Sequence, residues 1–256
     1  MTGPSTPVLL LHGFTGGGAA MAELARPLAA AGFPVLAPDL PGHGAAPVPA
    51  AGATMDAAVA TALAALDRRG IARAHWIGYS MGGRVALAAA LDHPDRVASL
   101  VLIGASPGIE DETERRERRE ADEALAQEIE AEGLAAFVDR WMAQPLFASQ
   151  RRLGRRRLRL ARAERLRGTT RGYVASLRGM GQGAQPSFWG RLGELRGPVL
   201  LIAGEEDEKY AAIARAMAKR IPEARVEVVA EAGHAAYLEA PGPTGRVVVE
   251  LLRSAE

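Results

Sequence analysis

The sequence predicts an α/β domain, a mostly parallel sheet flanked by helices, and three observations carry that expectation. Short runs rich in Val, Leu and Ile alternate with longer alanine-rich stretches of helical character, the alternation that strands joined by crossover helices produce. The runs are continuously apolar, as strands buried on both faces are. Polar or glycine-rich residues follow each run, which places reactive groups at the carboxyl edge of the sheet, where open α/β folds form their crevices.

In chain order the strand runs are "PVLLLHG" (7–13), "FPVLAPDL" (33–40), "AHWIGYS" (74–80), "SLVLIGAS" (99–106), "PVLLIAGEED" (198–207) and "ARVEVVAEAGH" (224–234). The alternation stops between residues 108 and 187, where the chain turns helical and strongly charged. This stretch reads as an inserted helical cap, leaving 1–107 and 188–256 to form the core. From Arg140 to Arg178 the insertion carries 12 arginines against one acid, Glu164, after a stretch "EDETERRERREADE" that mixes both signs at helical spacing.

A length of 256 residues suits one such domain with an insertion. No apolar run approaches the roughly 20 residues a bilayer span needs. A formal net charge of +1 gives no ground to expect a nucleic-acid or membrane partner, and the arginine run lacks the interleaved aromatics of a nucleic-acid reader. The chain has no cysteine, so no disulfide can form. The opening "MTGPSTPVLLLHG" lacks the basic region and cleavage site of a signal peptide. A cytoplasmic protein, monomeric or weakly homo-oligomeric, is the expectation.

Chemistry enters at Gly78-Tyr79-Ser80-Met81-Gly82, a Gly-x-Ser-x-Gly sequence that follows a strand and precedes the helix-compatible "GRVALAAALD". A serine on so sharp a turn takes strained backbone angles, and the glycines remove side chains that would collide with strand and helix. Asp207 and His234 follow in the order such folds use, each just beyond a strand run. A neutral His234 takes the Ser80 proton only if an acceptor holds its other ring nitrogen. Asp207 is assigned that task, with Glu205 and Glu206 as competing neighbours. The loop "LHGFTGGG" (11–18) can aim the Phe14 N–H at the same point as the Met81 N–H, forming an oxyanion hole.

The remaining histidines take structural readings: His12 in a packed loop, His43 in the "PGHG" turn, His75 at a strand start and His93 near a helix end. None has metal-ligand spacing, and neither metal nor cofactor is expected. The same triad serves a carboxylesterase or carbon–carbon bond hydrolase. A non-catalytic binding protein would have no need of the intact set.

The segments "LHGFTGG", "DLPGHG", "GYSMGGRVAL", "ERRERREADEALA", "WMAQPLF", "LRGMGQGAQPSFW", "GEEDEKY" and "AGHAAYLEAP", spread from about residue 7 to residue 241, carry a resemblance. The chain resembles the α/β-hydrolase superfamily and, within it, the 2-succinyl-6-hydroxy-2,4-cyclohexadiene-1-carboxylate synthases of menaquinone biosynthesis. The first three segments are shared widely, whereas the cap segments discriminate, because caps set substrate choice on a reused core.

The resemblance implies an α/β-hydrolase fold with the cap inserted after that fold's sixth-strand region. It implies a carbon–oxygen lyase that removes a proton from 2-succinyl-5-enolpyruvyl-6-hydroxy-3-cyclohexene-1-carboxylate and expels pyruvate by 2,5-elimination. Ser80, activated by His234 and Asp207, is then the base, the Phe14 and Met81 amides hold the oxyanion of the succinyl ketone, and no acyl enzyme forms. A small tricarboxylate substrate calls for fixed cations, and arginine suits because its planar fork binds a carboxylate through two hydrogen bonds.

Tyr79, Arg84, Arg118 and Trp141 match substrate-binding positions of the family. Arg84 lies one helical turn beyond Ser80. Arg118 has Glu114 and Asp122 four residues to either side on one helical face. For most of that charged helix a solvated, salt-bridged surface is the bland alternative, and Trp141 would serve equally as core packing. A further cap arginine is expected at Arg165 or Arg167, with Arg165 preferred. The rest of the basic run would form a surface that draws in an anion. Two departures stand out: Tyr237 follows "GHAA" where a more polar residue is expected, and the leading antiparallel strands of larger relatives are expected to be absent or minimal.

Overall fold

Six apolar segments assemble into one sheet in the computed structural model, which describes residues 5–256; residues 1–4, at the start of the expected core, lie outside the described residues. The strands are β1 (Val8–Leu11), β2 (Val35–Leu36), β3 (Ala74–Tyr79), β4 (Val97–Ile103), β5 (Val199–Gly204) and β6 (Arg225–Val229). Their order is β2-β1-β3-β4-β5-β6, with every neighbouring pair parallel. Helices join and cover them: α1 (Ala22–Ala30), α2 (Met55–Asp67), α3 (Met81–Asp92), α4 (Glu112–Glu132), α5 (Leu134–Met142), α6 (Gly154–Arg165), α7 (Thr170–Met180), α8 (Glu208–Ala218), the single turn α9 (Ala236–Glu239) and α10 (Pro241–Ser254). The expected fold class is the one observed.

Because successive side chains of a strand point to opposite faces, one run supplies both cores. Val8, Leu10, Ile77, Val101 and Ile103 pack against α1 and α10, whereas Leu9, Leu11, Trp76, Leu100 and Leu102 pack against α2, α3 and α8. Burial of each such side chain contributes about 1.5–3 kcal/mol. Trp76, fully buried, satisfies its one donor by giving Nε1–H to the Arg96 carbonyl at 3.1 Å.

Continuous apolarity marks the four central strands but not the two edges. β6 exposes Arg225 and half-buries Glu227, and β2 shrinks to two half-buried residues. Pro34 and Pro38 bracket β2 and cannot donate to a ladder. The chain from Ala37 to Ala45 becomes a loop organised by Asp39, whose carboxylate accepts N–H bonds from Gly18 (2.7 Å) and Ala45 (2.8 Å). Burial opposes the charge of Asp39, yet those two donors, with the Arg167 cation as a lesser cause, hold its pKa below the ordinary value.

The helices α4 to α7 all lie between β4 and β5, so the insertion leaves the sheet after the fourth of these strands, which is the sixth-strand region of a fold counted with two leading strands. α4 starts where Asp111 accepts the Glu114 N–H at 2.9 Å, with Glu112 and Glu114 in its first turn, and stops at Gly133, φ 82°. Ala126, Ile129, Phe137, Val138, Tyr173, Val174 and Leu177 form a separate small core, against which Phe14 of the main domain packs. α7 sits close on the loop after β2: a Cβ on Gly172 would lie 2.1 Å from the Gly42 carbonyl oxygen. Among the described residues no helix is long and apolar enough to cross a membrane.

Candidate active site

The chain steps from β1 outward to β2 and then back across β1 to β3, so the loops after β1 and β3 lie side by side at a switch point of the sheet. Ser80 occupies the turn between β3 and α3 with φ 50° and ψ −110°, a region that non-glycine residues rarely adopt. Its N–H donates to the Ile103 carbonyl at 2.8 Å. A Cβ on Gly78 would meet the Gly82 carbonyl at 2.3 Å, and one on Gly82 the Leu11 carbonyl at 2.3 Å, so the turn closes only with glycine at both places. The half-exposed Oγ stands at the mouth of a cavity.

His234 Nε2 lies 3.1 Å from Ser80 Oγ, and His234 Nδ1–H donates to Asp207 Oδ2 at 2.6 Å. Asp207 and His234 are 6% and 2% exposed. Asp207 also caps α8, its Oδ1 accepting the Tyr210 N–H at 3.4 Å. The neighbouring acids are exposed and occupied elsewhere: Glu205 accepts the Glu231 N–H, and Glu206 pairs with Arg152. Asp207 is therefore the acid that meets His234. The histidine loop is held from α9, where the Glu239 carboxylate accepts from Gly233 N–H (2.8 Å) and Ala235 N–H (3.1 Å). The Tyr210 ring lies 4.6 Å from the imidazole.

Across from this relay, a turn closed by Gly16 N–H on the Gly13 carbonyl at 3.0 Å, with Thr15 at φ 66°, presents Phe14. The Phe14 and Met81 amides find no acceptor among the described residues, and Met81 opens α3, where orphan donors and the helix dipole favour negative charge. His12 fixes the turn from behind: Nδ1–H donates to the Gly13 carbonyl and Nε2 accepts the Leu40 N–H, each at 2.9 Å. Burial lowers its pKa and keeps it neutral. His43 is buried beside it and His75 bonds Ser99 Oγ, so these three histidines are structural.

Ser80 and His234 open into a cavity of about 420 Å³ that Arg84, Arg118 and Lys209 also line, with Asp122 as its one acid. Arg84 is 7% exposed and has no acidic partner; its Nη1–H donates to Gln185 Oε1 at 2.8 Å. Burial, with the repulsion of Arg118 as a lesser cause, brings its pKa down to about 10. Arg118 donates from Nε to Asp122 Oδ1 at 2.8 Å and from Nη1 to Gln182 Oε1 at 3.3 Å. Glu114, its other helical neighbour, makes no ion pair with it. Trp141 lines the wall, its ring 5.1 Å from Phe14 and its Nε1–H buried without an acceptor.

Tyr79 and Phe14 stand between this cavity and a second one of about 270 Å³. Arg165 lines only the second, beside Tyr237 and Glu164, and donates Nη1–H to the Ala161 carbonyl at 2.9 Å. Arg167 pairs with Glu164 and faces solvent. Neither expected cap arginine reaches Ser80, because α6 packs over the turn at Gly18–Met21 on the far side of Phe14. Tyr237 is buried against Tyr79, ring centroids 4.9 Å apart, and burial pushes its hydroxyl up to about 12. Gln182, Gln185, Lys209, Tyr210 and Glu239 are the site residues that sequence reasoning missed. Four of them sit in the quoted segments "LRGMGQGAQPSFW" and "GEEDEKY", and the fifth in "AGHAAYLEAP". Among the described residues no group of three His, Asp or Glu side chains is disposed to hold a metal.

A parallel sheet with a strained serine elbow, a histidine and acid beyond later strands, and free amides facing the serine is the architecture of the α/β hydrolases. Residues 6–241 match that fold family. A Bacillus subtilis protein provisionally named 2-succinyl-6-hydroxy-2,4-cyclohexadiene-1-carboxylate synthase is 40% identical over 98% of this chain and 91% of its own. A Salmonella newport protein of the same name is 33% identical over 98% and 95%. The structure of MenH from S. aureus superposes with a TM-score of 0.92 at 32% identity, covering 98% and 95% of the two chains. A malate-bound thermophilic esterase from Thermogutta terrifontis gives 0.87 at 27% identity over 99% and 92%. The chain belongs to the α/β hydrolase family and, within it, to the 2-succinyl-6-hydroxy-2,4-cyclohexadiene-1-carboxylate synthases.

Proposed function

We propose that the protein is a carbon–oxygen lyase of menaquinone biosynthesis, converting 2-succinyl-5-enolpyruvyl-6-hydroxy-3-cyclohexene-1-carboxylate into the cyclohexadiene product and pyruvate. The observation that carries this reading is the charge of the Ser80 cavity: Arg84, Arg118 and Lys209 face one carboxylate, Asp122, which Arg118 already engages. An uncompensated buried guanidinium is costly, and a polyanionic substrate would supply the missing charge. The structure of the Thermogutta terrifontis esterase, a structural relative, has malate, a dicarboxylate, bound, which supports the reading.

In this reading Ser80 Oγ removes the proton alpha to the succinyl ketone as its own proton passes to His234 Nε2, and Asp207 stabilises the imidazolium. The enolate oxygen is held by the Phe14 and Met81 amides, donors fixed in place before charge develops. The electron pair moves through the ring double bond and breaks the bond to the enolpyruvyl oxygen, releasing pyruvate enolate, which takes up a proton. Arg84 and Arg118 bind carboxylates, Trp141 and Tyr79 shape the walls, and no metal or cofactor takes part. An esterase reading uses the same triad, but a simple neutral ester gives Arg84 no partner.

The test supplies purified protein with freshly made enolpyruvyl substrate and follows pyruvate together with the absorbance of the diene. Wild type is expected to raise both in step, and Ser80→Ala to lower kcat by about 10²–10⁴-fold, the usual contribution of a positioned base. Equal rates for the two proteins would remove Ser80 from the mechanism.

A further inference from the structure

We infer that Gln185 sets specificity by orienting the buried Arg84 through a neutral acceptor, so that its charge stays available to the substrate. This rests on the proposed anionic substrate and names a residue that chooses it. A buried arginine ordinarily meets a carboxylate, which fixes the fork but also cancels its charge. Arg84 instead meets an amide oxygen: Gln185 Oε1 accepts one N–H at 2.8 Å and leaves four of the five guanidinium donors unengaged by it. Arg118 differs, since Asp122 already pairs with its Nε; Gln182 Oε1 accepts only its Nη1–H at 3.3 Å, and Gln182 donates Nε2–H to the Tyr210 hydroxyl at 2.9 Å, beside His234.

Both amides are carried by one short segment, Gly181–Gln185, which the fold holds in place. The Ala184 and Gln185 N–H groups both donate to the Gly181 carbonyl at 3.1 Å. Arg119 grips the Gly183 carbonyl, and Asp122 Oδ2 accepts the Gly183 N–H at 3.2 Å. A Cβ on Gly181 would lie 2.4 Å from Asp122 Oδ2, and one on Gly183 2.3 Å from the Arg119 nitrogen, so the segment lies flush on α4 only as glycine. Gln185 is 1% exposed, and its Nε2 finds no acceptor. A buried amide with an unsatisfied donor costs stability, which gives its retained partner, Arg84, a functional rather than a stabilising reading.

The test compares Gln185→Glu with Gln185→Met, which keeps the length without charge or strong acceptor. Succinate binding by calorimetry needs no turnover, while kcat and KM for pyruvate release report the reaction. Gln185→Glu is expected to weaken succinate binding and raise KM by about tenfold or more, the loss of a charged hydrogen bond, with kcat changing less. Gln185→Met should lose less in both. Gln182→Glu, which sets a second carboxylate beside Asp122 at the half-exposed Arg118, should also weaken succinate binding and supplies the reading should Gln185→Glu fail to fold. If the glutamate variants bind succinate as well as wild type, or no worse than Gln185→Met, the inference falls. If wild type releases no pyruvate yet the succinate ordering holds, the lyase reading falls and the role of Gln185 stands. Absence of both activities in wild type overturns both.

Discussion

Ser80, His234 and Asp207 owe their alignment to different constraints, and those constraints fail differently. Ser80 is fixed by glycine packing at Gly78 and Gly82, whereas His234 depends on Glu239, which accepts N–H bonds from residues on both sides of it. Glu239→Ala should let the imidazole drift and reduce kcat by about 10–10²-fold with KM nearly unchanged, as small misplacements of catalytic groups do; steady-state kinetics would show it, and an unchanged kcat would contradict it. Arg84→Ala should lower kcat/KM by about one to three orders of magnitude through lost charged hydrogen bonds. Since Arg84 ionises near about 10, its cation is present below that pH and lost above it, so KM should climb as pH rises through 10. A flat KM profile there would separate Arg84 from substrate binding. The positions of Ser80, Asp207 and His234, and of the Phe14 and Met81 amides proposed to face the oxyanion, were legible because each sits on a motif whose local geometry is set by a strand end. Gln185 was not, since an amide acquires its role only from where a loop lays it.

At the level of elements, the docking of the inserted helices turns on one close approach. Gly172 of α7 and Gly42 of the loop after β2 leave no room for a methyl group, with a Cβ on Gly172 falling 2.1 Å from the Gly42 oxygen. Gly172→Ala should cost about 1–3 kcal/mol, as overpacking does, and lower Tm by about 2–4 °C per kcal/mol. A Tm equal to wild type in a thermal melt would mean that the interface yields. The four central strands could be read from their apolar runs because both faces are buried. β2, read as a strand over 33–40, keeps only Val35–Leu36 because its prolines shorten it, and the arginines of α6 gave no sign of which side of Phe14 the helix would cross. Composition predicts a basic helix; only packing assigns Arg165 to the second cavity.

For the molecule as a whole, burial of His43 between the domain and its insertion links stability to pH. Desolvation, with His12 nearby, lowers its pKa from 6.5 to about 3. Between those values the unfolded chain binds the proton and the folded one does not, so the stability is fully present above about pH 6.5 and declines as pH falls toward 3. His43→Gln, which takes up no proton, should lose less Tm between pH 7.5 and pH 5 than wild type; parallel acid limbs would show that His43 does not govern them. Fold class and family were readable from sequence because sheet, elbow and triad order support one another. The central claim is that uncompensated cations beside Ser80 direct this site to elimination rather than ester hydrolysis. Its most direct test is the ratio of kcat/KM for pyruvate elimination to kcat/KM for a p-nitrophenyl ester, taken on one preparation. Elimination should exceed ester cleavage by about 10³-fold or more, the span of two to three charged hydrogen bonds. Ester cleavage without pyruvate release would contradict the account.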